Sequence, residues 1–166
     1  DHTDKTKIPS TTHYVPADGV ITFGAQAIDQ RLSPHQKGID YMSEWTAWLD
    51  VQNGLNLKGF DLWEKERRSI TTPRDLATYV HFDQLYQAYF NACLIMLEHG
   101  VPFDSGFPTS EGHPSNPKKT RGAFATFGGP HILSLLTEVA TRALKAVRRQ
   151  KFQIHRRGRP EQLAAM

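Results

Sequence analysis

The residues best suited to bind a ligand lie in a basic segment, KFQIHRRGRP, at positions 151–160. Lysine presents a point charge with three donors, and arginine presents a planar fork of five donors. Together they suit a tetrahedral oxyanion such as phosphate. We therefore predict that Lys151 and Arg159 bind a compact anion. On a helix, Arg148 and His155 would share the face of Lys151, because they lie three and four residues from it.

The end of this segment predicts a clamp that closes on the anion from two sides. Pro160 disfavours helical geometry at Arg159, and Gly158 allows the chain to turn. Arg159 would then approach the anion from beyond the end of the helix that carries Lys151.

A structural interpretation of the same cations is an alternative. Cations in the last turn of a helix complement its dipole, at about 0.3 to 1 kcal/mol each. We expect Arg142, Lys145, Arg156 and Arg157 to belong to such a solvated face. His155 would either donate a hydrogen bond to an oxyanion or, as we favour, pack against a partner helix.

The positive charge of the chain is local. Between Glu138 and Glu161 there are eight lysines and arginines and no acidic residue, whereas the whole chain carries only +3. This concentration favours a discrete anion site over a surface for a long polyanion. Phe152 alone supplies aromatic character, which is thin support for nucleic-acid binding. A basic helical binding or assembly module without catalysis stays an alternative.

Length and composition predict one domain with a real core, from 166 residues of which 39% are hydrophobic. The single cysteine, Cys93, cannot form an intrachain disulfide, and its apolar neighbours predict a buried position. No segment approaches the roughly 20 apolar residues of a membrane span. The start at Asp1, without methionine, suggests processing or a fragment.

The hydrophobic pattern predicts an all-α fold, a helical bundle or part of one. Residues 1–32 are interpreted as a polar arm with one strand-like run, GVITFGA, and residues 33–166 as the bundle segment. A first helix would begin at Ser33-Pro34 and end at Asn53-Gly54.

Two further helices are predicted. Thr72-Pro73 should begin a second helix that runs to Gly100 and is buried on most sides. A third should extend from about residue 130 to about residue 157. The connection between them, residues 101–129, is long enough to be a functional or covering segment. The sequence contains no Walker loop and no CxxC or HExxH metal spacing.

The sequence ALKAVRRQKFQIHRRGRPE resembles the first vanadate-binding motif of the vanadium-dependent haloperoxidases, of the bromoperoxidase type of red algae and cyanobacteria. The resemblance extends upstream through FATFGGPHILSLLTEVATRALKAV and RSITTPRDLATYVHFDQLYQAYFNACL, so it covers at least residues 68–161. It implies a partial domain within the larger α-helical domain that these enzymes share with acid phosphatases.

In that motif, the lysine and the arginine of the Arg-Pro pair both hold vanadate, which implies this role for Lys151 and Arg159. Seven residues separate them here. The related acid phosphatases usually have one fewer, so the spacing favours a bromoperoxidase, with a vanadate-sensitive acid phosphatase as the alternative.

The chain departs from the family pattern downstream. It contains neither the Pro-Ser-Gly-His motif nor the motif with the histidine that bonds vanadium, so a remaining segment or another chain should supply them. The sequence SEGHP, residues 110–114, is interpreted as loop because Glu111 interrupts it and it precedes Lys151. His131 is expected to have a structural or capping role at a helix start.

The resemblance implies oxidation of bromide or iodide by hydrogen peroxide to a hypohalous acid equivalent, which halogenates an organic acceptor. Lys151 would help to activate the peroxide, and Arg148 would attract or place the halide or form a structural salt bridge. The red-algal relatives assemble into dodecamers, so a homo-oligomer is expected, with no nucleic acid and no membrane span. Secretion or a place in the cell wall is suggested by the resemblance alone.

Overall fold

The computed structural model describes residues 18–110 and 112–166. The first 17 residues of the predicted arm, and Glu111 of the SEGHP sequence, lie outside the described residues. The chain divides into two compact units. Among the described residues, the first unit contains positions 18–30 and 84–147, and the second contains Arg31–Asp83 together with Arg148–Met166.

The strand-like run of the predicted arm forms a hairpin. Strand β1 (Val20–Phe23) pairs antiparallel with β2 (Gln26–Asp29), with Val20 opposite Asp29. The two-residue connection contains Gly24 at φ +57°, a conformation that costs glycine little. Ile21 of β1 is buried, so this segment contributes to the core of the first unit.

The first helix is much shorter than the sequence predicted. Helix α1 covers Trp45–Gln52, and the predicted start at Ser33-Pro34 is wrong. Residues 31–36 instead pair with residues 62–68, where Leu32 and Arg68 exchange backbone hydrogen bonds of 2.9 Å each. Pro34 is fully buried beside this ladder. The proline therefore stabilises an extended segment, which its fixed φ and missing N–H also permit.

Helix α2 (Pro73–Phe82) begins where the sequence predicted. The side chain of Thr72 accepts a hydrogen bond from the backbone N–H of Asp75 at 3.1 Å, and the Asp75 carboxylate accepts one from the Thr72 N–H at 3.0 Å. This reciprocal capping box satisfies two donors that the first turn leaves without helical partners.

The predicted second helix is two helices. Asp83 leaves α2 with an extended backbone, Tyr86 lies in the left-handed region at φ 56°, and α3 covers Gln87–Glu98. The prediction of one helix to Gly100 was wrong because apolar spacing continues across this break, so periodicity alone does not reveal it. The predicted C-terminal signal was correct, because Gly100, at φ 64°, lies directly beyond the end of α3.

Burial of α3 is confined to one side. Cys93, Leu94 and Ile95 are buried, and Asn91 donates a hydrogen bond to the side chain of Gln30 at 3.0 Å. Burial raises the pKa of the Cys93 thiol, as expected for a small apolar core residue. Tyr89 is half exposed, however, so the prediction of burial on most sides is wrong within the described residues.

Helix α4 (Gly129–Arg149) follows the long connection, and its helical path continues as a π turn (Gln150–His155). The extent of the predicted third helix is thus nearly correct. A short helix, α5 (Pro160–Ala164), comes after it. None of the helices among the described residues is long and apolar enough to cross a membrane.

The connection of residues 101–128 contains no helix or strand in its described part. Asn116, only 3% exposed, organises it. Its amide donates to the backbone carbonyls of Thr109 and Arg121 at 3.1 Å each, and its side-chain oxygen accepts from the Arg121 N–H at 3.2 Å. Helices are the main regular structure of the described residues, which also contain one small two-stranded sheet, so the all-α prediction is correct only in part. The bundle stays a prediction.

Asp75 is the main buried charge of the second unit. It is 2% exposed, and Arg68 donates to both of its oxygens, at 2.5 and 3.0 Å. Burial alone would raise the pKa of this carboxyl. The hydrogen bonds from Arg68, Thr71 and Thr72 outweigh that effect and hold the pKa well below its usual range.

Replacement of Arg68 by alanine should destabilise the protein. The change would leave the Asp75 carboxylate buried without its ion pair, so the free energy of unfolding should fall by about 2 kcal/mol. Denaturant unfolding of the full-length protein measures this. Arg142→Ala is the control, because the Arg142–Glu138 pair is exposed on both sides and should contribute about 0.5 kcal/mol or less. Equal effects of both changes would contradict this role of Arg68.

Stability should also depend on Asp75 in acid. Because its pKa is lowered on folding, its contribution is complete above the usual carboxyl value of 3.8 and is lost as the pH falls towards the lowered value. The difference in unfolding free energy between wild type and Asp75→Asn should therefore shrink as the pH is reduced below about 4. A difference that stays constant between neutral pH and acid would refute this expectation.

Candidate anion site

The residues of the predicted anion site come from the second unit, where the end of α4 widens into the π turn. The N–H of Arg156 donates to the carbonyl of Lys151 at 3.1 Å, a bond that spans five residues instead of four. Single π turns inside α-helices occur frequently at functional sites. Lys151 therefore lies in a backbone geometry that the 3.6-residue pattern of the sequence does not predict.

Lys151 extends over an aromatic ring. Its Nζ lies 5.1 Å from the centroid of the Phe152 ring, within the range of a cation–π interaction. Both side chains are exposed in the described part of the chain. The sequence analysis considered Phe152 only as an argument about nucleic acid, so it missed the contact of this ring with Lys151. The sequence signal for this contact is the aromatic residue directly after the site lysine.

Arg159 follows the π turn after a reversal of the backbone. Arg156 ends the turn in the left-handed region at φ 48°, and Arg159 is extended, with φ −69° and ψ 156°, directly before Pro160. The extended conformation confirms the effect predicted for an Arg-Pro pair. The Cα atoms of Arg156 and Arg159 are at most about 11 Å apart, because only three residue steps separate them. Since the Arg156 N–H is bonded to the carbonyl of Lys151, the side chains of Lys151 and Arg159 can contact one anion.

A hydrogen bond holds the segment after Arg159 against α1. The indole Nε1 of Trp48 donates to the backbone carbonyl of Glu161 at 3.3 Å, and the rings of Trp48 and Trp45 stack with centroids 4.7 Å apart. Helix α1 thus helps to position α5 within the second unit. No local sequence pattern predicts this hydrogen bond, because its partners are 113 residues apart.

The cations of the site lack acidic partners within residues 18–110 and 112–166. No carboxylate in that part of the chain forms an ion pair with Arg148, Lys151 or Arg159. Arg148 lies in the last turn of α4 and is exposed, so the predicted alternative of a structural salt bridge has no support there. His155, the last residue of the π turn, is exposed as well.

Two other histidines have local structural roles. His131 accepts a hydrogen bond at Nδ1 from the backbone N–H of Phe127 at 2.9 Å, which confirms the predicted capping role at the start of α4. His113 of the SEGHP sequence lies in a turn, with its Nδ1 2.7 Å from the hydroxyl of Ser115. No group of three or more His, Cys, Asp or Glu residues in the described ranges is arranged to hold a metal ion.

The first unit carries an open apolar groove of about 600 Å³ between α3 and α4. Val139, 65% exposed, lies in the middle of the α4 side of this groove. The lining side chains are Tyr89, Ile132, Leu135, Leu136, Val139, Ala140 and Ala143. The apolar stripe that predicted this helix is therefore only partly covered by the described residues.

Two proteins from red algae are relatives of this chain. It is 51% identical over 144 residues, 87% of its length, to the vanadium-dependent bromoperoxidases of Corallina pilulifera and Corallina officinalis. It is 27% identical over 142 residues to the vanadium-dependent bromoperoxidase of Ascophyllum nodosum. The chain spans 24% of the length of the Corallina proteins and 25% of the Ascophyllum protein. No protein-family model matches it.

The chain is therefore homologous to about a quarter of the red-algal vanadium-dependent bromoperoxidases, and the resemblance inferred from its sequence is confirmed. The acid phosphatase and binding-module alternatives are not favoured by these relatives.

The backbone reversal at Arg156 yields a test. A β-branched side chain is poorly accommodated in the left-handed region, so Arg156→Val should lower the free energy of unfolding by about 1 to 2 kcal/mol, whereas Arg156→Gly should not lower it. Arg157→Val is the control, since Arg157 does not have a positive φ. Thermal or denaturant unfolding of the full-length protein measures these changes. Equal losses for valine at both positions would show that the left-handed residue is unimportant.

Proposed function

We propose that this chain, as a segment homologous to the red-algal bromoperoxidases, supplies the first part of a vanadate site in a peroxide-dependent haloperoxidase. The observation that carries the proposal is the combination of 51% identity to those enzymes with a lysine in a π turn and an arginine that follows the backbone reversal after it. In this proposal Lys151 and Arg159 bind vanadate, and the halide is bromide or iodide.

The donors of these two residues fit vanadate. A lysine ammonium and an arginine guanidinium are cationic, offer only donors and match the tetrahedral oxyanion in charge and geometry. Neither is neutralised by a carboxylate of the described residues, so both retain their full charge for an anionic ligand. When bound, vanadate supplies Lewis-acid activation of hydrogen peroxide without a change in its own oxidation state.

The residues of this chain would act by charge and by hydrogen bonding. Lys151 would donate a hydrogen bond to the peroxide and thereby make one of its oxygens more electrophilic towards the halide. Arg159 holds the other oxygens of the anion through its planar fork and offsets their charge. Arg148, one turn before Lys151, raises the local concentration of halide by electrostatic attraction.

The remaining parts of the site would come from outside these residues. The chain spans about a quarter of the length of its curated relatives, so the histidine that bonds vanadium belongs to the rest of the protein or to another chain. We also propose that the assembled protein is a homo-oligomer. An organic acceptor receives the oxidised halogen in this reaction.

Halide oxidation by the full-length protein tests the proposal. Protein freed of vanadate should oxidise bromide with hydrogen peroxide only after orthovanadate is added. Lys151→Ala and Arg159→Ala should each reduce this activity and the affinity for vanadate at least about ten-fold, because each removes a charge-assisted contact of about 1.5 to 3 kcal/mol.

Arg157→Ala is the matched control, since Arg157 is an exposed cation of the same segment that the proposal does not assign to the site. Arg157→Ala should change both the halide oxidation and the affinity for vanadate by less than about two-fold, because a solvated charge contributes little. Vanadate-sensitive cleavage of a phosphoester without halide oxidation would move the protein to the phosphatase alternative. Equal small effects of all three substitutions would rule out the clamp.

A further inference from the structure

We propose that Phe152 is a positioning residue for Lys151, and that its ring orients the lysine ammonium towards the oxyanion through a cation–π interaction. The inference rests on the proposed function, because it concerns the same anion site. Phe152 need not touch the anion; its effect reaches the anion through the lysine.

The geometry of the contact indicates that it is specific. Side chains of adjacent residues diverge by about 100° on an α-helix and so do not normally meet. In the π turn more residues complete one turn, so neighbouring side chains diverge less. Even so, the 5.1 Å between Nζ and the ring centroid requires the lysine chain to bend sideways over its neighbour. The contact therefore restricts the direction in which the ammonium points.

Within the described residues, core packing does not explain why an aromatic residue stands at position 152. Phe152 is 64% exposed, and Ile154, on the same π turn, is 56% exposed. The two apolar side chains are thus similarly exposed, and Phe152 is the one with an aromatic face for the lysine ammonium, 5.1 Å from it. This difference makes Ile154 a matched control for the ring.

An aromatic partner suits a lysine that must bind an anion. A carboxylate would orient the ammonium too, but it would neutralise the charge and occupy a donor. The face of an aromatic ring attracts the cation and leaves its N–H donors free for the ligand. A lysine side chain loses much rotamer freedom when it is held in one geometry. A lysine oriented in advance loses less when the anion binds, so its affinity is higher.

Binding of orthovanadate and inorganic phosphate to the vanadate-free, full-length protein tests this role without reference to activity. In isothermal titration, Phe152→Leu should weaken both anions about three-fold to five-fold. Phe152→Tyr and Phe152→Trp should restore the wild-type affinity, because each retains an aromatic face. Ile154→Ala should leave it unchanged. Phe152→Met, a second non-aromatic variant, should resemble Phe152→Leu, and thermal unfolding should confirm that the compared variants are folded.

A double-mutant cycle separates positioning from a general structural effect. In a Lys151→Gln background the ring has no ammonium to orient, so Phe152→Leu should cause no further loss of affinity. An equal loss in both backgrounds would overturn the proposal, and so would wild-type affinity in Phe152→Leu or Phe152→Met. If the wild-type protein itself binds neither anion, the proposed function fails. If it binds them and Lys151→Gln weakens binding while Phe152→Leu does not, only the positioning role fails.

Discussion

The repulsion among cations at the end of α4 is the constraint on which the proposed site depends. Eight positive residues lie between Glu138 and Glu161, and Arg148, Lys151 and Arg159 have no acidic partner in the part of the chain that the structure describes. Such a concentration of like charge is unfavourable by itself. A bound anion relieves the repulsion, which ties the stability of this segment to occupancy of the site.

Elsewhere in the described residues, several buried polar groups are paired within the chain. Arg68 pairs with the buried Asp75, Asn91 bonds to Gln30, and Asn116 holds the long connection by three hydrogen bonds. Buried polar groups that are fully paired favour one arrangement of the backbone. The exposed cations of the π turn have no such internal partner among the described residues, which supports the proposal that they bind a ligand.

Local sequence patterns predicted some parts of the backbone correctly and missed others. Local signals were sufficient for the capping box at Thr72, the extended Arg159 before its proline and the buried Cys93. The first helix was wrong because Pro34 belongs to a pairing with residues 62–68, which local patterns do not contain. The break before α3 was missed because its apolar spacing continues across the left-handed Tyr86.

The predicted site was limited by the same cause. Residue types and spacing singled out Lys151 and Arg159, but the bond from Arg156 to Lys151 depends on a change of helical geometry that no pattern of period 3.6 reveals. The hydrogen bond from Trp48 to Glu161 joins distant parts of the chain, so local sequence patterns do not predict it either. The roles of these cations towards vanadate stay a proposal.

The π turn has a consequence for the direction in which the chain leaves α4. Its hydrogen bond closes over one residue more than an α-helical bond, and the chain leaves the helical path directly afterwards, at the left-handed Arg156. The wider turn therefore changes where the helix releases the chain and not the register of a helix that continues. A substitution that returned this turn to α-helical geometry would redirect Arg159 relative to Lys151 without altering either side chain.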